Sequence, residues 1–262
     1  MHFIWNEILY RPLLNLLLFF YNAVPGHDIG IAIILLTIIV RLIILPSSIK
    51  ASRSQRKLKV LTPELDKLKE QYKGDQQGLA KAQMDFYKQR GVSPFSSCLP
   101  VLIQLPILFA LYAVLREGLG HIDPAKVYSF IYLPPNLDTT FLGIIDLAKP
   151  EKFVLPVLAG ITQYILGKMT MPVSKSTSGG MEQTINKQMM FALPIMTLFF
   201  AMSFPAGLAL YWVATTVFGI GQQLWVNKEK MKEVKLKIKK KDEGEIVITE
   251  AGLGREEKDK QD

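Results

Sequence analysis

The chain has very few of the residues on which covalent chemistry and metal binding usually depend. It contains one cysteine, Cys98, and three histidines, His2, His27 and His121, which lie far apart in the sequence. A single cysteine excludes an intramolecular disulfide framework. The sequence also lacks a glycine-rich phosphate loop and a Ser-His-Asp set. We therefore expect a protein that is not an enzyme and that holds no cofactor or metal.

Acidic residues are absent from the long apolar segments of the chain, which is 49% hydrophobic. A bilayer core of about 30 Å is crossed by roughly 20 mostly apolar residues in a helix. The sequence thus predicts an all-α membrane protein with transmembrane helices at five places: residues 29–46, 98–115, 153–171, 189–204 and 207–226.

Positive charge is unevenly distributed between these apolar segments. Residues 47–95 hold eleven Lys or Arg against five acids, and residues 228–241 hold eight Lys against two Glu. Residues 118–151 hold two Lys against four acids. Cytoplasmic loops are enriched in Lys and Arg. We therefore predict that 47–95, the loop 172–187 and the basic tail 227–262 are cytoplasmic, and that 118–151 is an external loop. The N-terminus is then outside, and a bacterial cytoplasmic membrane is the simplest location.

The first residues differ from the five apolar segments because polar residues interrupt them. Residues 3–24 carry apolar side chains at helical spacing: Leu9, Leu13, Leu16, Leu17 and Phe20. This pattern predicts an amphipathic helix that lies in the membrane interface. A sixth transmembrane helix is the alternative. The start lacks the basic region of a signal peptide, so we expect none.

Residues 47–95 are predicted to form a cytoplasmic helical hairpin. A break is expected at Thr62-Pro63, because proline disrupts a helix interior, and a turn is expected at Gly74-Asp75. The first arm carries leucines and a tyrosine at heptad spacing: Leu58, Leu61, Leu65, Leu68 and Tyr72. The remaining surface is rich in Lys, Arg and Gln. It is either a solvated face or a contact for incoming polypeptide, lipid headgroups or a partner.

Arg41 is the single charge at mid-membrane depth in the predicted transmembrane helices, and a charge at the centre of such a helix costs about 2.5–3.5 kcal/mol. It lies five residues before Pro46, about 7–8 Å along the axis, so its side chain could extend to the headgroups. Alternatively, Arg41 faces a wet cavity enclosed by polar side chains from four helices. Those side chains are Thr37, Gln104, Thr162, Gln163, Thr215, Thr216, Gln222 and Gln223.

Three stretches of the chain resemble the YidC family of membrane-protein insertases, which has mitochondrial and chloroplast relatives. They are residues 38–46 (IIVRLIILP), 93–112 (SPFSSCLPVLIQLPILFALY) and 204–223 (FPAGLALYWVATTVFGIGQQ). The resemblance implies five transmembrane helices around a hydrophilic groove that is open to the cytoplasm and the lipid. It also implies that the arginine matching Arg41 lies in the groove, and that substrate helices slide along 98–115 and 189–204.

We assign the substrate groove to one set of residues: Arg41, Thr37, Gln104, Gln163, Trp212, Thr215, Thr216 and Gln222. Thr216 stands where relatives often carry Asn, so the polar lining of the groove is expected to differ. The large external domain of some relatives is not expected here.

The predicted function is insertion of nascent hydrophobic segments into the bilayer without ATP. The expected partners are nascent membrane proteins and lipid, with no DNA. A ribosome at the basic tail and a Sec-type translocon are candidate partners, although the lysines of the tail could equally serve only to orient the protein. Two rival functions stay open at this stage. One is a channel or carrier for a small anion, and the other is an assembly subunit without insertion activity.

Overall fold

The computed structural model describes residues 4–93, 99–118, 122–170 and 181–242, and most of them are helical. The helices are α1 (Arg11–Ala23), α2 (Ile29–Gln71), α3 (Gln76–Gln89), α4 (Leu99–Gly118), α5 (Val154–Thr170), α6 (Met181–Ser203) and α7 (Ala206–Asp242). A π-helical segment, Ile4–Tyr10, precedes α1, and a 3-10 turn covers Pro124–Lys126. Strands β1 (Thr140–Phe141) and β2 (Ile145–Asp146) pair antiparallel. Cys98, His121, residues 172–180 of the predicted loop and residues 243–262 of the predicted tail lie outside the described residues.

Helix α2 is 43 residues long and is continuous through Pro46 and Pro63. The predicted break at Thr62-Pro63 is therefore wrong. Each proline removes one hydrogen bond of the helix, but the turns on either side keep theirs. Leu65, two residues after Pro63, is buried, so packing supports the helix beyond the proline. One helix thus contains both the first predicted span and the first arm of the predicted hairpin.

Helix α3 returns alongside α2 after a short turn. Gly74 has a φ of +98°, a conformation that glycine adopts without strain. Asp75 caps α3 by accepting a hydrogen bond from the Gly78 N–H at 2.9 Å. No residue of α3 is buried. The turn predicted at Gly74-Asp75 therefore lies between two helices, of which the second packs only lightly on the first.

Helix α6 begins at Met181, so the prediction that all of 172–187 is a loop is wrong for its last seven residues. These residues contain Glu, Gln and Lys, which are good helix formers, and no proline or glycine that would stop the helix. Helices α5 and α6 approach closely at Gly160. A Cβ atom at Gly160 would lie 3.5 Å from the carbonyl oxygen of Pro194.

The hydrophobic core lies among α1, α2, α4 and the first turns of α7. Its fully buried side chains include Leu14, Leu18, Ile29, Ile33, Leu36, Leu111, Val114 and Leu115. Among the helices in the described part of the chain, one is long and apolar enough to cross a membrane, namely Ile29–Leu58 within α2. Leu102–Arg116 and Met190–Ser203 are shorter apolar helices.

We call the segment 122–153, together with the adjoining helix termini, the loop end of the molecule. Asp28 caps α2 by accepting hydrogen bonds from the N–H groups of Gly30 and Ile31. The first N–H groups of α7 donate to the carbonyls of Lys149 and Leu147. The loop therefore satisfies the first N–H groups of α7, and Asp28 satisfies those of α2.

The chain divides into two compact units, Met1–Gln223 and Leu224–Asp262. The first contains the core, the loop end and the polar residues of the predicted groove. The second contains the end of α7 and the lysines of residues 228–241.

Candidate functional site

One face of α2 carries a stripe of polar residues: Thr37, Arg41, Ser48 and Ser52. Their spacing of four, seven and four residues brings them to the same side of a helix with 3.6 residues per turn. Thr37 is 1% exposed, and its hydroxyl donates to the Ile33 carbonyl at 2.7 Å. The Thr37 hydroxyl is thus paired within its own helix. The candidate site therefore depends on the other residues of the stripe.

Arg41 is half-buried. Its Nε atom is buried and has no hydrogen-bond partner among the described residues. A buried N–H group without a hydrogen-bond partner is unfavourable in a protein interior. The arginine adjoins a small pocket of about 10 Å³, room for about one water molecule. The pocket is lined by Arg41, Ile44, Ser47, Ser48, Ala51 and Ile103.

Helices α4 and α7 meet through Gln104 and Tyr211. The Gln104 side-chain amide donates to the Tyr211 hydroxyl. The same hydroxyl is close enough to Arg41 to interact with its charge. Tyr211 is 2% exposed, so its hydroxyl is a fixed polar group deep between the helices. Thr215 is buried one turn further along α7. Polar groups of α2, α4 and α7 therefore converge near Arg41.

Three side chains form what we call the polar clasp: Ser48, Ser52 and Gln222. The Gln222 amide nitrogen donates to the Ser48 hydroxyl at 2.9 Å and to the Ser52 hydroxyl at 3.4 Å. The Ser48 hydroxyl and the Gln222 carbonyl oxygen are 3.0 Å apart. Because Ser48 also lines the pocket at Arg41, the clasp joins α2 to α7 at one side of that pocket.

A second polar contact joins α7 to α5. The Thr216 and Thr162 hydroxyls are 2.7 Å apart, and the Trp212 indole N–H donates to the Gln163 carbonyl oxygen at 3.4 Å. A Cβ atom at Gly219 would lie 3.1 Å from Leu166, so α5 and α7 approach closely one turn later. This contact is tight and contains no charged group.

The predicted groove residues therefore occupy two faces of α7 rather than one. Tyr211, Thr215 and Gln222 share a face, and Trp212, Thr216 and Gly219 share another about 100° away, as 3.6 residues per turn require. Arg41, Gln104 and Gln222 belong with the first face. Gln163, Trp212 and Thr216 meet at the second.

Ser48, Ser52 and Tyr211 are part of the site although the sequence interpretation did not assign them to it. Ser48 and Ser52 lie seven and eleven residues after Arg41, and this spacing is the signal that could have identified them. Tyr211 lies within an apolar segment and has no polar neighbour in the sequence that would mark it. Its role depends on Gln104, which is 107 residues away, and no local pattern predicts such a pairing.

Several known proteins resemble the chain over most of its length. Residues 19–234 match the family model described as "60Kd inner membrane protein". A membrane protein insertase YidC of Pelobacter propionicus is 37% identical over 227 residues, which cover 86% of this chain and 39% of that protein. The chain thus spans about two-fifths of that longer relative.

Two shorter relatives are matched over most of their length. Membrane protein insertase YidC 2 of Bacillus anthracis is 36% identical over 238 residues, which cover 88% of this chain and 84% of that protein. Membrane protein insertase YidC of Fusobacterium nucleatum is 36% identical over 224 residues, with 84% and 98% covered. These similarities to YidC insertases confirm the resemblance seen in the sequence. By its match to the family model, the chain belongs to the 60Kd inner membrane protein family.

Proposed function

We propose that the chain is a membrane-protein insertase that moves nascent hydrophobic segments into the lipid bilayer. The observation that carries the proposal is the partly buried Arg41, whose Nε atom has no hydrogen-bond partner in the described part of the chain. It lies beside polar groups of α2, α4 and α7. The names of the relatives support the same function.

The proposal includes five transmembrane helices, supplied by α2, α4, α5, α6 and α7. Support comes from large apolar side chains that these helices expose, because soluble monomers rarely expose apolar patches beyond a few hundred Å². The exposed side chains include Ile43, Leu102, Phe109, Ile161, Phe199 and Val217. The distribution of Lys and Arg supports an external loop end and N-terminus, with the hairpin and C-terminus in the cytoplasm.

Arg41 would hold an acidic flank of an incoming segment for a short time. An ion pair at a partly desolvated site is stronger than one in water, and a guanidinium group binds carboxylates well. Gln104, Tyr211 and the polar clasp would hydrogen-bond to the polar backbone of the segment. These interactions lower the barrier that an unpaired backbone group meets in hydrocarbon.

The apolar part of the segment would then leave for the lipid. Its burial contributes about 25 cal/mol per Å² of apolar surface, so the proposed mechanism uses no ATP. The segment would slide along α4 and α6, as the resemblance to the insertases implies. The contact between α2 and α7 would open at the clasp to admit it, because three side-chain hydrogen bonds are easier to exchange than the α5–α7 packing at Gly219. The loop end would stay closed during this step.

The basic lysines of residues 228–241 are proposed as a contact for the ribosome, since phosphate contacts by lysines are strong at low salt and weaken as salt rises. This part of the proposal is separate from the groove. It predicts only how substrate is delivered, whereas Arg41 and the clasp concern how it crosses.

Reconstitution tests the function directly. The purified chain would be placed in lipid vesicles without a translocon and given a newly synthesised single-span protein with an acidic external segment. Protection of that segment from added protease measures insertion. Protection well above that in empty vesicles is expected. Protection equal to empty vesicles would contradict the proposal, and chloride flux without insertion would support the anion channel instead.

Arg41 is the residue whose substitution should reduce activity most. We expect Arg41→Ala to lower insertion of the acidic substrate about tenfold, as removal of an interaction of about 1.4 kcal/mol would. Arg41→Lys should retain much of the activity, because a transient site requires charge more than bidentate geometry. The matched control is a substrate with a neutral external segment, which Arg41→Ala should insert nearly as well as the unaltered chain does. Full activity of Arg41→Ala on the acidic substrate would show that the charge is not used.

A further inference from the structure

The turn that joins β1 to β2 presents apolar side chains to the outside of the protein. Leu142 is 62% exposed and Ile144 is 83% exposed. Among the large apolar side chains in the described part of the chain, Ile144 is the most exposed. Exposed apolar side chains are common when scattered. Two of them at the tip of one short turn require a closer explanation.

Leu142 occupies a backbone conformation that leucine rarely adopts. Its φ is +53°, in the left-handed region where glycine and asparagine are preferred and where a residue with a Cβ pays about 1–2 kcal/mol. Glycine or asparagine would serve this turn at lower cost and would not expose an apolar side chain to water. A leucine there suggests that the side chain itself has a binding role.

The surrounding structure holds this turn firmly against the start of α2. The Leu142 N–H donates to the Asp28 carboxylate at 2.7 Å, and the same carboxylate caps α2. The Phe141 ring lies directly over Gly30, where a Cβ atom would be only 2.1 Å from the ring. The tip is therefore fixed at the level where the apolar part of α2 begins.

Other exposed apolar side chains lie on the same loop end. They are Phe130, Tyr132 and, at the start of α5, Phe153 and Val154. Charged groups lie next to them, including the ion pair between Lys149 and Asp146 at 2.8 Å. Aromatic and apolar side chains that alternate with charged groups at the end of membrane-crossing helices are typical of the membrane–water interface.

We propose that the turn Phe141–Ile145 is a membrane anchor that inserts Leu142 and Ile144 into the outer interface of the lipid bilayer. This inference rests on the proposed transmembrane helices. Lipid fits the turn better than a protein partner does, because the two exposed side chains stand at the tip of a short two-stranded turn and carry no charge. Interfacial segments bury their apolar side chains about 5–10 Å deep in this way.

The anchor would set the depth of Arg41 in the membrane. Asp28 and Arg41 are thirteen residues apart on α2, about 20 Å at 1.5 Å per residue. A turn fixed in the outer interface would therefore hold Arg41 well towards the inner side of a hydrocarbon core of about 30 Å. The pocket at Arg41 would then lie on the cytoplasmic half, where a nascent segment arrives.

Spin labelling tests the anchor without any assay of insertion. A label is attached at Ile144→Cys in a Cys98→Ser background, and the full chain is reconstituted in phosphatidylethanolamine–phosphatidylglycerol vesicles. Its collisions with oxygen, which concentrates in lipid, are compared with collisions with a water-soluble nickel chelate. The matched control is Asn136→Cys, an exposed polar position of the same segment. We expect an oxygen-to-nickel ratio several-fold higher at 144 than at 136.

A second label separates failure of the anchor from failure of the proposed spans. Ile161→Cys lies on the exposed face of α5 and should report a lipid environment. Equal ratios at 144 and 136, with a lipid-like ratio at 161, would overturn the anchor alone. A water-like ratio at 161 would overturn both the spans and the anchor. Adding Leu142→Asn, which suits the left-handed backbone, should move the ratio at 144 towards that at 136; no change would show that Leu142 does not insert.

Discussion

The two ends of the first compact unit are held together to very different degrees. At the loop end, side chains and loop carbonyls satisfy the N-termini of α2, α5 and α7 through Asp28, Glu151, Leu147 and Lys149. At the end formed by the α2–α3 hairpin, α3 buries no residue. The ion pair that joins Arg90, at the end of α3, to Glu64 of α2 is exposed. The difference indicates that the loop end is bonded more tightly than the end formed by the hairpin.

Asn15 shows how the loop end is held. It is 2% exposed, and its amide donates to the carbonyls of Arg11 and Lys126 at 2.8 and 2.9 Å. Its side-chain oxygen accepts the Tyr128 N–H at 2.7 Å. Arg11 also stacks over the Tyr128 ring. A single buried amide therefore ties α1 to the loop.

The largest effect on stability is expected from Asn15→Leu. The substitution removes the partner of the Tyr128 N–H and leaves the Lys126 carbonyl without the Asn15 bond, although Arg11 Nε still donates to that carbonyl at 3.4 Å. Loss of a partner inside the protein costs about 1–3 kcal/mol per group. We expect the free energy of unfolding to fall by about 2–4 kcal/mol, measured by thermal or denaturant unfolding in detergent. The matched control is Asn22→Ala, because Asn22 makes one exposed bond to the loop, to the Tyr132 carbonyl. Equal losses for the two variants would contradict the contrast between the ends.

The polar clasp should give an intermediate result. Gln222→Leu removes its bonds to Ser48 and Ser52, but serines in a helix can instead donate to the carbonyl four residues earlier. We expect a loss of about 1 kcal/mol in the same unfolding measurement. Ser47→Ala, at the same pocket but outside the clasp, is the control and should change stability by less. A loss as large as that of Asn15→Leu would mean that the clasp is a permanent joint.

The smallest effect is expected at the hairpin. Arg90→Ala removes the ion pair with Glu64 and the contact over the Phe86 ring. Exposed ion pairs contribute about 0–1 kcal/mol. We therefore expect the free energy of unfolding to change by less than about 0.5 kcal/mol. Hydrogen exchange gives the complementary measurement, with α3 amides exchanging faster than those of α4. A loss above about 2 kcal/mol would show that the hairpin is part of the core, contrary to its burial.

The sequence predicted those features that depend on one segment at a time. The apolar segments indicated the helices from α4 to α7, and Gly74-Asp75 indicated the turn of the hairpin. The charge at Arg41 drew attention to the face of α2 that also carries Ser48 and Ser52. The continuity of α2 through Pro63 was not predictable in this way. It depends on burial of neighbouring residues such as Leu65, which outweighs the local effect of proline.

Contacts between residues that are far apart in the chain could not be predicted from the sequence. Asn15 interrupts an apolar run and looked like a polar defect of an interfacial helix, yet its partner Tyr128 is 113 residues away. The same holds for Gln222 and Ser48, which are 174 residues apart. Two faces of α7 carry polar residues, and only contacts with α2, α4 and α5 reveal that they serve different neighbours.

The length of α2 has a mechanical consequence. The helix is 43 residues long, about 64 Å at 1.5 Å per residue. Its N-terminus is fixed by the cap at Asp28, which would act as a pivot. If α2 tilted by about 5° as a stiff rod, its far end would move by about 5–6 Å, and Ser48 would move by between about 2 and 3 Å. The second displacement is enough to break hydrogen bonds of 2.9–3.0 Å to Gln222. A tilt of this size would therefore separate the clasp, while Asp28 at the pivot hardly moves.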